Sequence, residues 1–260
     1  MLSTDLLNHY RQVSQQLLTV VDVETTGHAP TANRVIEVSV LQASLSDGIQ
    51  YQQTNLLNPE VPVPDSITRF TGISQAMVEA APPTAALLPG YLPRLNQGVL
   101  TAHNLSFDYG FLKSEFDRLD QVFYRPAEAQ LCTVILARLM LPELPSRSLP
   151  ALVSHFEFAV GKSHRAEADT LACWLLAERL LREIQNEADE DLLQRFVQQW
   201  LPLGDAAAIL QCTGRQARAR LEKAGVKPRL VGRHRTPLYL RRDVERVFWE
   251  YQEPKQLSWL

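Results

Sequence analysis

Asp22 and Glu24 stand one residue apart in the run Leu17-Leu18-Thr19-Val20-Val21-Asp22-Val23-Glu24. Side chains alternate along a strand with period two, so both carboxylates project from one face. Two anions on one face of an otherwise apolar strand need a cation between them, although acidic pairs near a strand end are also commonly just solvated. Directly afterwards the chain reaches Thr25-Thr26-Gly27, where a sharp turn makes backbone N–H groups available to a ligand. A second acid, Asp108, shares a helical stripe with Leu112, Phe116 and Leu119. It therefore occupies a core-facing position, where a carboxylate without a partner is neutral or strongly destabilising. Stabilisation by the helix macrodipole is the simpler alternative. Asp169 heads the stripe Cys173, Leu176, Leu180 and faces inward in the same way. His164 precedes it by five residues, on a loop after Gly161.

The elements that must position these residues follow from pattern. The β-branched run Leu17–Glu24 reads as a buried strand. Val35–Ala43 reads as a second, alternating Ile36, Val38 and Val40 against Glu37 and Ser39. Ile49–Leu56 reads as a third, after an Asp47-Gly48 turn. This is an antiparallel meander. Pro59, Pro62 and Pro64 mark a loop, and short helices are expected at Gln75–Ala80 and Thr84–Leu95. A strand at Gly98–His103, helices at Leu105–Leu119 and Leu131–Leu141, an interruption at Pro142, Pro145 and Pro150, and a long helix Arg165–Asn186 complete the pattern. Strands first, then strand and helix in alternation, give an α/β mixed sheet with helices on its faces.

Three blocks resemble the DEDDh branch of the DnaQ-like 3′–5′ exonucleases, and the DNA polymerase III epsilon-type proofreading exonuclease among them. They are Asp22-Val23-Glu24-Thr25-Thr26-Gly27; His103-Asn104-Leu105-Ser106-Phe107-Asp108 with Phe111-Leu112; and His164 with Asp169. Thr71-Gly72-Ile73 followed by Ala81-Pro82 also resembles the family's spacing between its first two motifs. The resemblance covers about residues 15–185, and no catalytic position departs from it. It implies a ribonuclease H-like fold and hydrolysis of DNA from the 3′ end to nucleoside monophosphates, in proofreading or repair. Four carboxylates, Asp22, Glu24, Asp108 and Asp169, are hard oxygen ligands suited to Mg2+ or Mn2+. Two such ions per site, about 3.5–4 Å apart, would clamp the attacking and leaving oxygens of a phosphodiester. By resemblance, Asp22 bridges both ions, Glu24 and Asp169 complete the sites, and Asp108 serves the second ion directly or through water. By the same resemblance His164 becomes the general base, imidazole being the side chain suited to proton transfer near neutral pH. The resemblance further implies that Thr25 and Thr26 meet the 3′-terminal nucleotide through their backbone, with His103 and Asn104 as further substrate contacts. The substrate the resemblance implies is DNA with single-stranded 3′ ends or frayed primer termini, and a DNA polymerase is an implied partner. A 3′–5′ exoribonuclease of the same branch shares these motifs. A non-catalytic DNA-binding or clamp-tethered adaptor is the reading from a different class.

The C-terminal quarter has another character. The whole chain, 260 residues long, carries a net charge of −3. Residues 1–185 hold 13 basic and 19 acidic side chains, residues 186–200 hold 1 and 4, and residues 201–260 hold 12 and 6. An acidic body thus carries a basic tail, which points to an anionic partner. Asp205 starts a short helix through Leu210, and Thr213-Gly214-Arg215-Gln216 has the form of a capping box opening a second helix that ends at Gly225. Arg215, Gln216, Arg218, Arg220 and Lys223 line that helix's exposed face, while Ala217, Leu221 and Ala224 face inward. Arg233 and Arg235 lie in a hairpin between Leu230–Val231 and Leu238–Leu240, and a helix Arg242–Tyr251 follows. The arrangement resembles the winged helix-turn-helix of MerR and excisionase proteins, which implies nucleic-acid contact. The final Gln256-Leu257-Ser258-Trp259-Leu260 resembles the pentapeptide by which bacterial replication and repair proteins bind the sliding clamp, with Gln256, Leu257, Trp259 and Leu260 as contacts; folding back on the basic domain is the alternative. The expected organisation is an exonuclease domain at 1–186, an acidic linker helix at 187–200, a small winged helix-turn-helix domain at 201–252 and a tail at 253–260. Three scattered cysteines, Cys132, Cys173 and Cys212, make no disulfide framework. No export or membrane-anchoring segment is apparent, so a cytoplasmic, nucleoid-associated protein is expected.

Overall fold

Five strands build the sheet that carries the acids: β1 (Leu18–Thr25), β2 (Val35–Ser44), β3 (Gly48–Leu56), β4 (Val99–Ala102) and β5 (Gln130–Cys132). The computed structural model of the chain describes residues 1–161 and 163–252. The strand order is β3-β2-β1-β4-β5, with β1, β2 and β3 antiparallel and β4 and β5 parallel to β1. All ten residues of β2 are buried, as expected when both faces of a strand are covered.

Helix α1 (Leu105–Arg118) packs on this sheet. Its Phe111, Leu112 and Phe116 join Val21, Val23, Val38, Val40 and Leu100 in one core. Truncating a buried Phe of this kind to Ala costs about 3–5 kcal/mol. Helix α2 (Ala166–Asn186) buries Cys173, Leu176 and Leu180 along one stripe, as the sequence predicts. Gly98 precedes β4 with φ +56°, and a Cβ built there would lie 2.2 Å from the Leu17 carbonyl oxygen. Only glycine fits a positive φ with the neighbouring strand this close.

Two expected helices differ. Thr84–Leu95 forms as three short pieces, Thr84–Leu87, a 3-10 turn Leu88–Tyr91 and Leu92–Leu95, with Pro89 and Pro93 at the starts of the latter two. Proline lacks the N–H that would continue the ladder. The helix expected from Leu131 starts at Thr133 because Leu131 and Cys132 are drawn into β5 beside β4.

The described chain divides into two units, one of residues 12–137 and 145–183, the other of Met1–Arg11, Arg138–Leu144 and residues 184 onward. Met1–Arg11 and Arg138–Leu144 group with the second unit, although the sequence reading counts them within 1–186. For the N-terminus the cause is visible: Ser3 donates to Glu245 Oε1 from both N (2.8 Å) and Oγ (2.7 Å), and Arg241 Nη1 donates to the Met1 carbonyl (2.9 Å). The second unit contains the helix Asp189–Phe196, a three-stranded antiparallel sheet of β6 (Trp200–Pro202), β7 (Arg229–Val231) and β8 (Thr236–Leu240) in the order β6-β8-β7, and three further helices, α3 (Leu203–Ile209), α4 (Gly214–Lys223) and α5 (Arg241–Gln252). Its core is Leu201, Ala206, Ile209, Ala217, Leu221, Tyr239, Val244 and Val247. The capping box is present, with Gln216 N–H donating to Thr213 Oγ1 and the Thr213 N–H donating to Gln216 Oε1. Arg215, Gln216, Arg218 and Lys223 lie exposed along α4, and Arg233 and Arg235 are exposed in the β7–β8 turn. Arg220 is partly buried: it donates to the Leu210 carbonyl at 3.0 Å and lies over the Tyr251 ring. The predicted clamp contacts Gln256, Leu257, Trp259 and Leu260 lie outside the described residues. No helix among those described is long and apolar enough to cross a membrane.

Candidate active site

β1 is buried on both faces except at Asp22 and Glu24, which are the two half-buried positions of its eight. The alternation that places them on one face therefore opens only at the strand's C-terminal end. A register shift between Glu24 and Thr25 breaks the regular pairing with β2, and Thr25 pairs with Val35 beyond it. The turn that follows is tied internally: Thr25 Oγ1 donates to the Gly27 carbonyl (2.6 Å), Thr26 N donates to the Arg34 carbonyl (2.9 Å), and Thr26 Oγ1 accepts from Arg34 N–H (2.9 Å). The hydroxyls of Thr25 and Thr26 thus shape the loop.

Asp169 enters from the first turn of α2, and its carboxylate meets those of Asp22 and Glu24, with one ligand atom from each lying within 4.8 Å of the others. Asp108 comes from the first turn of α1. It is 3 % exposed and accepts from the Val23 N–H at 3.2 Å, so it is fixed to the residue between the two β1 acids. The His164 N–H donates to Asp169 Oδ2 at 3.0 Å, and the His164 ring lies against Phe70 with centroids 3.9 Å apart. His164 has φ +64°, a conformation a non-glycine residue keeps only when its surroundings impose it.

Every one of the four carboxyls is shifted upward. Burial is the largest cause for Asp22, followed by the charges of Asp108, Asp169, Glu24 and Glu37. Glu24 is pushed from 4.5 to about 8 by burial, then by Asp169 and Glu37, with Arg165 opposing. Burial raises Asp108 against the Val23 hydrogen bond, and raises Asp169 against the His164 N–H and charge. Desolvation and like charges both disfavour ionisation. A hard divalent cation among these oxygens removes both penalties, and an all-carboxylate donor set suits Mg2+ or Mn2+. The residues present fit such ions.

His103 and Asn104 lie at the end of β4. The His103 Nε2 donates to the Arg147 carbonyl at 3.0 Å and Nδ1 sits 2.9 Å from Thr133 Oγ1. Burial lowers its pKa to about 4, so the ring is neutral and both nitrogens are occupied by protein. Asn104 caps α1 in the left-handed region, φ +76°, with its side chain 3.4 Å from Ser106 Oγ. Sequence reasoning missed two ion pairs, each of a buried glutamate with a partly exposed arginine, that hold the acid-bearing helices to β2. Glu115 of α1 accepts from Arg34 Nε (2.9 Å) and from the Val35 N–H (3.0 Å). Glu37 of β2 accepts from Arg165 and from the first N–H of α2. A glutamate inside an apolar strand was the available signal for the second.

The profile of a family described as Exonuclease (RNase_T) matches residues 19–176, a span containing all five predicted catalytic residues. The chain is 35% identical over 176 residues to a Mycobacterium tuberculosis protein described as a putative bifunctional exonuclease/endonuclease, covering 65% of this chain and 27% of that protein. It is 31% identical over 184 residues to the PolC-type DNA polymerase III of Oceanobacillus iheyensis, covering 69% and 13%. It is also 29% identical over 175 residues to the 3′-5′ exonuclease DinG of Bacillus subtilis, covering 67% and 18%. The chain therefore spans about a quarter or less of the length of these relatives. Among solved structures, Escherichia coli exonuclease I in complex with a dT13 oligonucleotide aligns with TM-score 0.55 and 18% identity over 63% of this chain and 40% of that one. The nuclease domain of 3′hExo, a DEDDh family member bound to rAMP, aligns with TM-score 0.53 and 18% identity over 64% and 92%. At these identities the likeness is one of fold.

Proposed function

We propose, from the premise that this chain belongs to the RNase_T exonuclease family and carries a DEDDh-type domain, that it is a metal-dependent 3′–5′ exonuclease that shortens DNA from the 3′ end to nucleoside monophosphates, in proofreading or repair. The observation that carries this reading is the meeting of Asp22, Glu24 and Asp169 oxygens within 4.8 Å, with His164 bonded to Asp169 through its backbone. Asp22, Glu24 and Asp169 would hold two Mg2+ or Mn2+ ions, with Asp108 completing the set. Such ions, when bound, supply charge stabilisation at the attacking and leaving oxygens of a phosphodiester. The protein's own part is to hold four carboxylates together and to aim His164. The imidazole takes the proton from the attacking water, a role suited to a group whose ordinary pKa is near neutrality. The backbone at Thr25 and Thr26, with Asn104, lines the place of the 3′-terminal nucleotide, while His103, both of whose ring nitrogens are held by Thr133 and Arg147, supports that wall from behind.

The basic C-terminal unit holds or recruits substrate as a winged helix-turn-helix. Arg215, Gln216, Arg218 and Lys223 of α4 and Arg233 and Arg235 of the hairpin serve the phosphates, Arg220 being engaged by the Leu210 carbonyl and the Tyr251 ring, and the tail tethers the protein to a sliding clamp. Supporting this is the exposure of basic side chains along α4 above the buried Ala217 and Leu221. Incubation with a labelled single-stranded DNA, a matched RNA and a mismatched primer-template, each with Mg2+ or with EDTA, tests the whole reading. Metal-dependent release of mononucleotides from the DNA 3′ end is expected. Release from RNA alone would make the protein an exoribonuclease, and no metal-dependent release from any substrate would end the enzyme reading.

A further inference from the structure

Glu37 is a buried carboxylate of β2 that lies beside the four-acid site without joining it. It stands directly across from Glu24 in the β1–β2 register, and like charges placed opposite each other on neighbouring strands repel. It is 1 % exposed. A buried carboxylate survives only when paired and hydrogen-bonded, and Glu37 is. Arg165 Nε lies 3.2 Å from both its oxygens, Arg165 Nη2 lies 2.6 Å from Oε1, and the Ala166 N–H donates to Oε2 at 2.9 Å.

The two donors locate the effect. Ala166 is the first residue of α2, and the first N–H groups of a helix have no partner within it. Glu37 therefore caps α2 from a different element. Arg165 is flanked by His164, and Asp169 lies one turn into the helix. A planar two-point grip on the guanidinium fixes orientation as well as distance. The His164 N–H closes the loop onto Asp169 Oδ2, so the segment from 164 to 169 is held to β2 at two points and to itself at a third. The cation group formed by the described acids is Asp22, Glu24 and Asp169, and Glu37, saturated by Arg165 and Ala166, is outside it.

We propose that Glu37, acting through Arg165 and the Ala166 N–H, is the positioning residue that sets Asp169 and His164 against the carboxylates of β1. This rests on the assignment of His164 and Asp169 to the reaction. Fixing a reacting group to within about 1 Å is worth on the order of 10² in rate. Arg165 also lines a cleft of about 410 Å³ with Gln52, Gly161, Glu167, Ala168 and Leu171.

The test uses the full chain carrying Glu37→Gln, Arg165→Lys, or both, with His164→Ala and Asp22→Ala as references. Steady-state cleavage of a single-stranded DNA, Mn2+ titration followed by electron paramagnetic resonance, and thermal melting are measured on each. Both single variants should melt cooperatively, lose about tenfold or more in kcat with KM changed less than about twofold, and weaken Mn2+ binding severalfold. The double variant should lose no more than the worse single one, because both changes release the same ion pair. Native kcat in folded Glu37→Gln, strictly additive losses, or unfolding of both single variants would overturn the positioning role, the last by assigning the pair to stability alone. If His164→Ala and Asp22→Ala keep native activity, the underlying active-site reading fails instead, whatever Glu37→Gln does.

Discussion

The Val23 N–H donates to Asp108 Oδ1 at 3.2 Å, which makes an acid from a helix and the residue between two strand acids one unit. Asp108→Asn keeps an oxygen acceptor for that N–H and should melt near the native temperature. Asp108→Ala leaves a buried donor unsatisfied, at a cost of about 1–3 kcal/mol. Both should lose cleavage by about 10² or more if the negative charge is what the reaction needs. Melting curves beside an exonuclease assay separate the effects, and native activity in Asp108→Asn would remove Asp108 from the catalytic set.

Asp22→Ala should abolish cleavage while leaving DNA binding largely intact, because it deletes a carboxylate from the metal group and leaves the basic α4 untouched. His164→Ala should lower the rate by about 10² or more, as for loss of a general base. Single-turnover rates at neutral pH with a fluorescence-anisotropy binding measurement check both. Near-native turnover by His164→Ala would refute its role.

Stability without divalent ions should fall as pH rises from about 6.5 to 8. Glu24 is raised from 4.5 to about 8, so between those values the folded state holds a proton that the unfolded state has released, and each step up in pH favours unfolding. The stabilisation is complete below about 4.5. His103, lowered to about 4, acts oppositely between about 4 and 6.5, so the slope is clean only above that range. Differential scanning calorimetry in EDTA should show Tm falling over this window, less steeply in Glu24→Gln. Added Mg2+ should flatten the slope by displacing the protons. A Tm in EDTA that is constant or rises would contradict the shift.

Binding by the C-terminal unit should weaken steeply with salt. Replacing Arg215 and Arg218 with Ala should lower the slope of log K against log salt by about one for each phosphate no longer neutralised, with little sequence dependence. An unchanged slope would place the nucleic-acid interface elsewhere.

Deleting Gln256–Leu260 should abolish retention on an immobilised sliding clamp without changing mononucleotide release from a short oligonucleotide. Equal retention of full-length and truncated protein would count against the tether.

What could be read from the sequence was whatever period alone decides. Asp22 and Glu24 share a face because strands alternate, and Asp108 and Asp169 face inward because their helical stripes do. Glu37 defeats the same rule: in the alternation of Val35–Ala43 it reads as solvent-facing, but β2 is covered on both sides and the glutamate is gripped by a residue 128 positions away. β6 is invisible to pattern because three residues ending in Pro202 carry no periodicity. The fragmented Thr84–Leu95 shows the converse, an apolar run that reads as one helix although Pro89 and Pro93 divide it.

The burial of β2 has a consequence for solubility. Ten consecutive buried residues in a β-rich run are the composition that templates strand addition between molecules when an edge is open. β3 covers that edge with Gln50, Gln52, Gln53, Thr54 and Asn55 among its nine residues, a polar border with few apolar side chains to offer another chain. The outer strand thus protects the protein from its own interior, and damage confined to β3 would be felt first as aggregation.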